Sequence, residues 1–310
     1  MSLNGKVAIV TGSGRGLGLA YAAELARLGA AVVVNDVDAQ TAADAVASIE
    51  TAGGRAVAVV APVGPTETAK LLVAAAVENF GRLDILVTNA GVLRDTVLWK
   101  MSDDDFDTVI GVHLRGTFTT VREAVLHLRE QSEGGRIICI GSPTGQRGNF
   151  GQTNYAAAKA GIVGMVRTWA LELKRAGITA NAVIPVAATA MTATVPYFAA
   201  AVEAEAAGEP MPAFFRHDLG FGTSDDVAGL VAYLASDAAA GVTGQAIGVG
   251  GDRIQLWSHP EPVVTGYREG GWTYEALEES FGDVFGAELQ PVGERFPPLP
   301  EELQGASANA

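Results

Sequence analysis

The first 250 residues alternate between two kinds of segment, and this alternation constrains the fold more than any other feature of the sequence. Short apolar runs rich in valine and isoleucine predict β-strands, and the longer stretches between them predict α-helices. The strand-like runs are nearly continuous in apolar residues, as is typical of strands buried on both faces of a parallel sheet. They lie at residues 7–10, 31–34, 56–60, 85–87, 137–140, 182–184 and 246–249. The sequence therefore predicts an α/β protein with a doubly wound, parallel, seven-stranded sheet.

The character of the chain changes after Gly251. Residues 252–310 contain six of the thirteen prolines, and eleven acidic residues against three arginines, yet several large apolar side chains persist there. We therefore expect one folded domain over residues 1–251, with a lid at about 188–220. An acidic, proline-containing C-terminal arm follows over residues 252–310. It is predicted to contain one short helix, at residues 273–281, and to strengthen subunit assembly.

Composition excludes several classes of protein. A formal net charge of −14 argues against nucleic-acid binding, which needs basic groups, and against adhesion to an anionic membrane surface. The one cysteine, Cys139, makes an internal disulfide impossible and fits a reducing compartment. Residues 176–202 carry no charge, but Asn181 and two prolines interrupt them, so we predict a strand and a lid there rather than a membrane span. With no secretory signal at the N-terminus, a soluble cytoplasmic protein is expected.

A glycine-rich loop, TGSGRGLG at residues 11–18, joins the first predicted strand to the first predicted helix. Glycines permit a tight turn there, and backbone N–H groups at a helix N-terminus bind a pyrophosphate. Asp36 stands about 20 residues further on, at the tip of the second strand, where dinucleotide sites carry a ribose-binding acid. The loop therefore predicts a Rossmann-type cofactor site. Its expected contacts are Gly12, Ser13, Arg15, Gly16, Leu17 and Gly18.

Asp36 also bears on the choice between NAD and NADP. A carboxylate at this position accepts hydrogen bonds from the ribose hydroxyls and repels a 2′-phosphate, which favours NAD. Arg15 argues the other way, because an arginine in this loop can bind a 2′-phosphate. Alternatively, Asp36 caps the next helix and takes no part in binding. We predict NAD, with NADP less favoured, and no metal.

Four motifs follow one another along the chain. The first is the T-G-x-x-x-G-x-G spacing of the glycine loop, and the second is Asn89-Ala90-Gly91 after the fourth strand. In the third, Ser142 follows the fifth strand, and a Tyr-x-x-x-Lys motif begins thirteen residues later; the fourth is NAVIP at residues 181–185. Together and in this order they resemble the short-chain dehydrogenase/reductase family, and the resemblance covers residue 3 to about residue 250. It implies an NAD(P)-dependent oxidoreductase acting on CH–OH groups, with residues 181–185 leading to the nicotinamide loop.

The residue types of this motif set suit proton transfer from an alcohol. A phenol has a pKa of ~10 and is a poor base at neutral pH unless its anion is stabilised. Tyr155 and Lys159 are four residues apart on one predicted helix and share a face. We expect Lys159 and the nicotinamide charge to lower the pKa of Tyr155, which then removes the hydroxyl proton while Ser142 holds the substrate oxygen. The resemblance also implies cofactor contacts at Val63, Asn89, Ala90, Gly91, Tyr155, Lys159, Pro185, Thr189 and Thr192.

Three positions depart from the family pattern. His113 replaces the Asn that is usually the fourth catalytic residue. It acts either in a water-linked proton relay or as a packed core histidine. Pro62 replaces an Asp, which leaves the adenine to Val63. Pro185-Val186 replaces the usual Pro-Gly turn, so the carboxamide contact stays open between the two threonines of the nicotinamide loop.

Three segments, at residues 91–95, 112–118 and 191–195, resemble the (3R)-hydroxyacyl-CoA and hydroxysteroid dehydrogenase branch of the family. This resemblance implies a bulky apolar substrate, a 3-hydroxyacyl-CoA or steroid-CoA thioester, with Arg94, Ser142 and Tyr155 at the substrate. A hydroxysteroid or terpenoid alcohol is the alternative. The basic groups that could meet CoA phosphates are Arg94, Lys100, Arg147 and Arg216. The resemblance also implies a homodimer or homotetramer. A non-catalytic NAD-sensing scaffold would have no use for the intact Ser, Tyr and Lys.

Overall fold

A computed structural model of the chain describes residues 2–188, 196–293 and 296–303. An eight-stranded sheet has the strand order β3-β2-β1-β4-β5-β6-β7-β8. The seven predicted strands are confirmed, and all neighbours from β3 to β7 pair in parallel. The strands are β1 Val7–Val10, β2 Ala31–Asp36, β3 Arg55–Val60, β4 Ile85–Thr88, β5 Gly135–Ile140, β6 Ile178–Pro185, β7 Ala246–Gly250 and β8 Arg253–Trp257.

The eighth strand was not predicted, because we assigned its residues to the C-terminal arm. It pairs antiparallel with β7, with Ala246 opposite Trp257 and Gly250 opposite Arg253. A two-residue turn joins the strands, and Gly251 adopts a positive φ of 50° in it, as hairpin turns require. The first strand of the predicted arm is thus an edge strand of the sheet.

Helices cover both faces of the sheet. They are α1 Gly16–Arg27, α2 Ala39–Thr51, α3 Thr66–Phe80, α4 Asp103–Val109, α5 Gly116–Gln131, α6 Pro143–Arg147, α7 Thr153–Glu172, α8 Ala199–Ala207, α9 Ser224–Ala235 and α10 Tyr274–Phe285. Because alternate strand residues point to opposite faces, Val32 and Val34 of β2 pack in the core with α1 and α9, whereas Val33 packs in the core with α3, α5 and α7. The predicted doubly wound α/β class is confirmed.

The lid and arm carry a third, smaller apolar cluster. Phe198, Phe215 and Phe221 form its centre. A parallel bridge between Ala187 and Gly222 ties the cluster to the end of β6. The helix expected at 273–281 is present as the longer α10, and Thr273 caps it by accepting a hydrogen bond from the Ala276 N–H. Among the described residues no helix is long and apolar enough to cross a membrane.

Candidate active site

A cleft of about 1490 Å³ opens at the carboxyl ends of the parallel strands. The strand order reverses between β1 and β4, and ligands of open α/β sheets bind at such a reversal. Most of the predicted site residues line this cleft. They are Gly12, Arg15, Gly16, Leu17, Gly18, Asp36, Val63, Asn89, Ala90, Gly91, His113, Ser142, Tyr155, Lys159 and Pro185. Thr189 and Thr192 lie outside the described residues.

The glycine loop needs its glycines for space as well as for backbone conformation. Gly12 has a φ of +60°, and a Cβ there would lie 2.7 Å from the Ala90 Cα. A Cβ on Gly18 would lie 2.1 Å from the Gly12 carbonyl oxygen. Gly16, with a φ of +56°, opens onto space at the first residue of α1. The result is a backbone cradle at a helix N-terminus, which fits the diphosphate of a dinucleotide.

Two predicted contact residues support this cradle with their side chains. The buried Ser13 hydroxyl donates to the Val10 carbonyl (2.7 Å) and accepts from the Asn35 N–H (3.1 Å). The Asn89 amide donates to the carbonyls of Thr11 (3.0 Å) and Gly12 (2.9 Å). Ser13 does not line the cleft itself, so it supports the cradle from the buried side and is not placed to contact a cofactor with its side chain.

Asp36 lies at the end of β2 and holds the glycine loop. Its carboxylate accepts from the N–H groups of Gly14 (3.2 Å) and Val37 (2.8 Å). The cap of α2 is a different residue, Asp38, which accepts from the Thr41 N–H at 2.7 Å. The alternative that Asp36 caps the next helix is therefore wrong.

Ser142, Tyr155 and Lys159 meet in the cleft as the helical spacing predicted. Lys159 Nζ lies 5.6 Å from the centroid of the Tyr155 ring and donates to the Ile140 carbonyl at 2.7 Å. Ser142 follows β5 and caps α6 by accepting from the Thr144 N–H (3.2 Å). The same hydroxyl lies close enough to the Tyr155 phenol to favour a lower pKa of that group.

Burial dominates the protonation of these groups. It raises the pKa of Tyr155, and the neighbouring Ser142 hydroxyl only partly opposes this. Burial also lowers the pKa of Lys159 from 10.5 to about 7. In the chain without cofactor the pKa of Tyr155 is therefore raised, and the lowering expected from Lys159 and the nicotinamide charge together stays a prediction for the complex. The physical reason is that burial removes water from both charged forms, the phenolate and the ammonium, and so shifts each protonation equilibrium toward the neutral group.

His113 lies in a π-helical segment, Ile110–Arg115, between α4 and α5 and is buried. Its Nε2 is 3.0 Å from the Val92 nitrogen and 2.8 Å from the Val92 oxygen, and its ring meets Tyr155 edge-on at 5.1 Å. Burial and the nearby Lys159 lower its pKa to about 3, so the ring is neutral at physiological pH. Nδ1 is buried and has no hydrogen-bond partner among the described residues.

Most of the basic residues that we expected to meet the substrate lie outside the cleft. The Arg94 side chain is exposed, donates to the Leu93 carbonyl at 2.8 Å and does not line the cleft. Arg216 is held in ion pairs with Asp226 (2.9 Å) and Asp252 (2.8 Å) and is also absent from the cleft wall. Lys100 is likewise exposed outside it. Of the four basic candidates only Arg147 lines the cleft, where its guanidinium lies 5.6 Å from the Trp257 ring centroid.

Sequence reasoning missed Asn154, which orients the start of α7. Its buried amide donates to the carbonyls of Arg94 (3.0 Å) and Asp105 (3.2 Å). Its oxygen accepts from the Tyr155 N–H at 2.7 Å. An amide side chain directly before the tyrosine of the Tyr-x-x-x-Lys motif was the available signal. Arg94 therefore contributes to the site through its backbone, as a partner of Asn154.

Comparisons with known proteins agree with this geometry. The family model described as short chain dehydrogenase matches residues 6–197, and the chain belongs to this family. It is 46% identical over 270 residues to a hydroxyacyl-CoA dehydrogenase, ChsB1, of Mycobacterium tuberculosis, covering 83% of this chain and 81% of that one. It is 42% identical to a 3-oxoacyl-[acyl-carrier-protein] reductase of Synechocystis, covering 82% and 99%.

The solved structures include a short chain dehydrogenase from Mycobacterium avium, with a TM-score of 0.79 and 35% identity over 94% of this chain and 98% of that one. The chain is thus a short-chain dehydrogenase/reductase close to the hydroxyacyl-CoA branch of the family. It is an oxidoreductase of the class that acts on CH–OH groups.

Proposed function

We propose that this protein uses NAD to interconvert the secondary alcohol and ketone of a bulky apolar thioester, a 3-hydroxyacyl-CoA or steroid-CoA. The observation that carries the proposal is the meeting of Ser142, Tyr155 and Lys159 with the glycine cradle in one cleft. The family membership and the named hydroxyacyl-CoA relative support it.

Residues of the chain itself would accept the proton that leaves the substrate hydroxyl during oxidation. The Tyr155 oxygen, as the phenolate, receives the hydroxyl proton of the substrate, and Ser142, whose hydroxyl lies beside that oxygen, holds the substrate oxygen. Lys159 lies under the tyrosine ring, anchored on the Ile140 carbonyl, and its ammonium favours the phenolate whenever it is protonated. When bound, the nicotinamide supplies the hydride acceptor in oxidation and the hydride donor in reduction.

The cofactor proposal rests on charge at the ribose end of the cleft. Asp36 would accept from the ribose hydroxyls, while the backbone of the loop at residues 11–18 and of Asn89-Ala90-Gly91 would hold the rest. Arg15 lies close enough to Asp38 for its charge to lower the pKa of that carboxyl, after the stronger effect of the Thr41 hydrogen bonds. The Asp38 carboxylate, in addition to that of Asp36, makes this end of the cleft more negative and so weakens its attraction for a 2′-phosphate. We therefore expect NAD to be preferred over NADP.

We propose a positioning role for His113 rather than one as an acid. A neutral ring that bonds the Val92 backbone and touches the Tyr155 ring edge-on holds the segment after β4 against α7. Gly91 makes this possible, since a Cβ there would lie 2.4 Å from the His113 Cε1.

We further propose a homodimer or homotetramer in the cytoplasm. Ile254 and Leu256 of the edge strand are 66% and 69% exposed, and α10 exposes Phe281 by 45%, which leaves apolar surface for a second copy. The single buried cysteine, Cys139, suits a reducing compartment. Light scattering at several protein concentrations tests the assembly.

The test of the function is NADH absorbance with a substrate panel. The panel contains 3-hydroxyacyl-CoA and steroid-CoA esters, free hydroxysteroids and terpenoid alcohols, each with NAD and with NADP. We expect the thioesters with NAD to give the highest kcat/KM. Turnover only of the free alcohols would replace the proposed substrate. Tight NAD binding without turnover of any alcohol would identify a sensor instead of an enzyme.

A further inference from the structure

Residues 296–303 return from the arm to the body of the protein and lie against the lid; we call them the C-terminal strap. Phe296 stacks on Tyr197 with ring centroids 4.9 Å apart and an interplanar angle of 27°. The Tyr197 hydroxyl donates to the Pro297 carbonyl at 2.7 Å. Leu299 and Leu303 pack against the lid cluster behind this contact. The strap is thus attached to the lid by ring stacking, a hydrogen bond and apolar packing together.

A second attachment lies on the catalytic side of the cleft. The Gly293 N–H donates to the Arg147 carbonyl at 2.8 Å, and Arg147 ends the helix that Ser142 caps. Phe296 follows three residues later, a distance of at most ~11 Å along the chain. The C-terminal part of the chain therefore connects the helix next to Ser142 with Tyr197 of the lid. The two sides of the cleft are joined here by a segment that lies more than 70 residues after the lid in sequence.

The strap also forms part of the cleft wall. Phe296 and Pro297 line the same cleft as Ser142 and Tyr155. Phe296 meets Phe198 edge-on at 5.4 Å, and Phe198 stacks on Phe221 at 4.3 Å; both of these rings line the cleft as well. Three aromatic rings thus form one apolar wall beyond the catalytic groups. Phe296 is 44% exposed, so much of its ring is available for contact.

We infer that Phe296 is a specificity-determining residue that contacts the apolar acyl portion of the substrate. This inference rests on the proposed function and extends it, since it names the residue that selects a large acyl group. A long acyl chain or fused-ring acyl group reaches the aromatic wall, whereas a four-carbon acyl group held at Ser142 and Tyr155 does not. Contact with the ring removes apolar surface of the large substrate from water and stabilises its complex alone.

Comparison of two substrates that differ only in length tests the inference. We would measure kcat/KM, at saturating NAD, for 3-hydroxybutanoyl-CoA and 3-hydroxyhexadecanoyl-CoA with the full-length chain and with Phe296→Ala. We expect the long-chain value to fall about tenfold and the short-chain value to change less than twofold. The loss should reside in KM for the long substrate, and KM for NAD should stay the same.

Two further variants complete the design. Phe281→Ala is the matched control, because Phe281 is 45% exposed, belongs to the same arm and does not line the cleft. Its long-to-short ratio should equal that of the unchanged protein. Tyr197→Phe keeps the stacked ring but loses the hydrogen bond to Pro297, so we expect a two- to fivefold fall in the same ratio. Thermal melting of each variant confirms that it is folded.

The outcomes separate the two proposals. Suppose that the unchanged protein oxidises both thioesters. If Phe296→Ala then lowers kcat/KM equally for the two substrates, or for neither, the strap has no part in selecting the acyl group and the proposed function stands. If the unchanged protein oxidises neither thioester, the proposed function fails, and the role of Phe296 in acyl selection fails with it.

Discussion

Replacement of Lys159 by Met should stabilise the fold at neutral pH, although it removes a residue of the proposed catalytic set. Lys159 is 3% exposed, and burial lowers its pKa from 10.5 to about 7. Below about pH 7 the folded protein carries a buried ammonium. Methionine has a similar length and no charge to dehydrate, so it fits the same space without that cost.

The magnitude follows from the pKa and from one hydrogen bond. A lowering from 10.5 to about 7 corresponds to about 5 kcal/mol of unfavourable burial. Methionine also loses the hydrogen bond to the Ile140 carbonyl, and a bond from a charged donor contributes roughly 1.5–3 kcal/mol. We therefore expect Lys159→Met to raise the free energy of unfolding by about 2 kcal/mol at pH 7.

The sign of the pH dependence is fixed as well. Between pH 7 and ~10.4 the unfolded chain keeps the Lys159 proton and the folded chain releases it, so the free energy of unfolding of the unchanged protein rises with pH. The variant lacks this titration. Its advantage should shrink by about 2 kcal/mol from pH 7 to pH 9 and nearly vanish there.

Urea unfolding at pH 6, 7, 8 and 9, at one protein concentration and followed by far-UV circular dichroism, measures this difference. Lys100→Met, at an exposed position, is the control and should stay within about 0.5 kcal/mol of the unchanged protein at each pH. A variant that is less stable at pH 6 and 7, or a difference that does not change with pH, would refute the reasoning.

Three further predictions concern the site. Tyr155→Phe should lower kcat by roughly 10³-fold, because the proton acceptor is lost, and should leave the Kd for NADH from fluorescence titration unchanged; substantial remaining turnover contradicts the assignment. Gly18→Ala places a Cβ 2.1 Å from the Gly12 oxygen, so we expect a loss of about 1–3 kcal/mol in urea unfolding together with weaker NADH binding, and normal binding contradicts the close packing. Asn154→Ala leaves the carbonyls of Arg94 and Asp105 without their buried donor, so we expect roughly 2–4 kcal/mol less stability and a lower kcat; an unchanged melting temperature contradicts it.

The fold could be predicted because each parallel strand is short, apolar and bounded by turn residues. In the structure, the predicted run at residues 31–34 pairs in parallel with the first and third predicted runs. β8 was not predicted because its residues are exposed or half-buried on both faces. Ile254 and Leu256 are 66% and 69% exposed, and polar residues interrupt the sequence RIQLW, so it carries no continuous apolar run.

Parts of the site could not be predicted because they depend on which distant groups meet. The sequence around Arg216 does not indicate that its guanidinium forms ion pairs with Asp226 and Asp252. The lowered pKa of Lys159 depends on how completely the surrounding strands and helices exclude water. The spacing along α7 predicts that Lys159 lies beside Tyr155. It does not show whether the attraction between the ammonium and the phenolate or the dehydration of both groups has the larger effect on their pKa values.

The glycine-loop end and the aromatic end of the cleft therefore differ in how much of each a local sequence motif can predict. The cofactor end is built from backbone and from glycines near Gly12 and Gly18, where a side chain would collide, so a local motif suffices to find it. The proposed substrate end is built from side chains that the fold gathers from three distant segments, at Phe198, Phe221 and Phe296. Of these three rings, Phe296 is the one with a large exposed fraction, 44%, whereas Phe198 and Phe221 are buried at the centre of the lid cluster. A change at Phe296 would therefore alter the proposed acyl contact at less cost to the fold than a change at either buried ring.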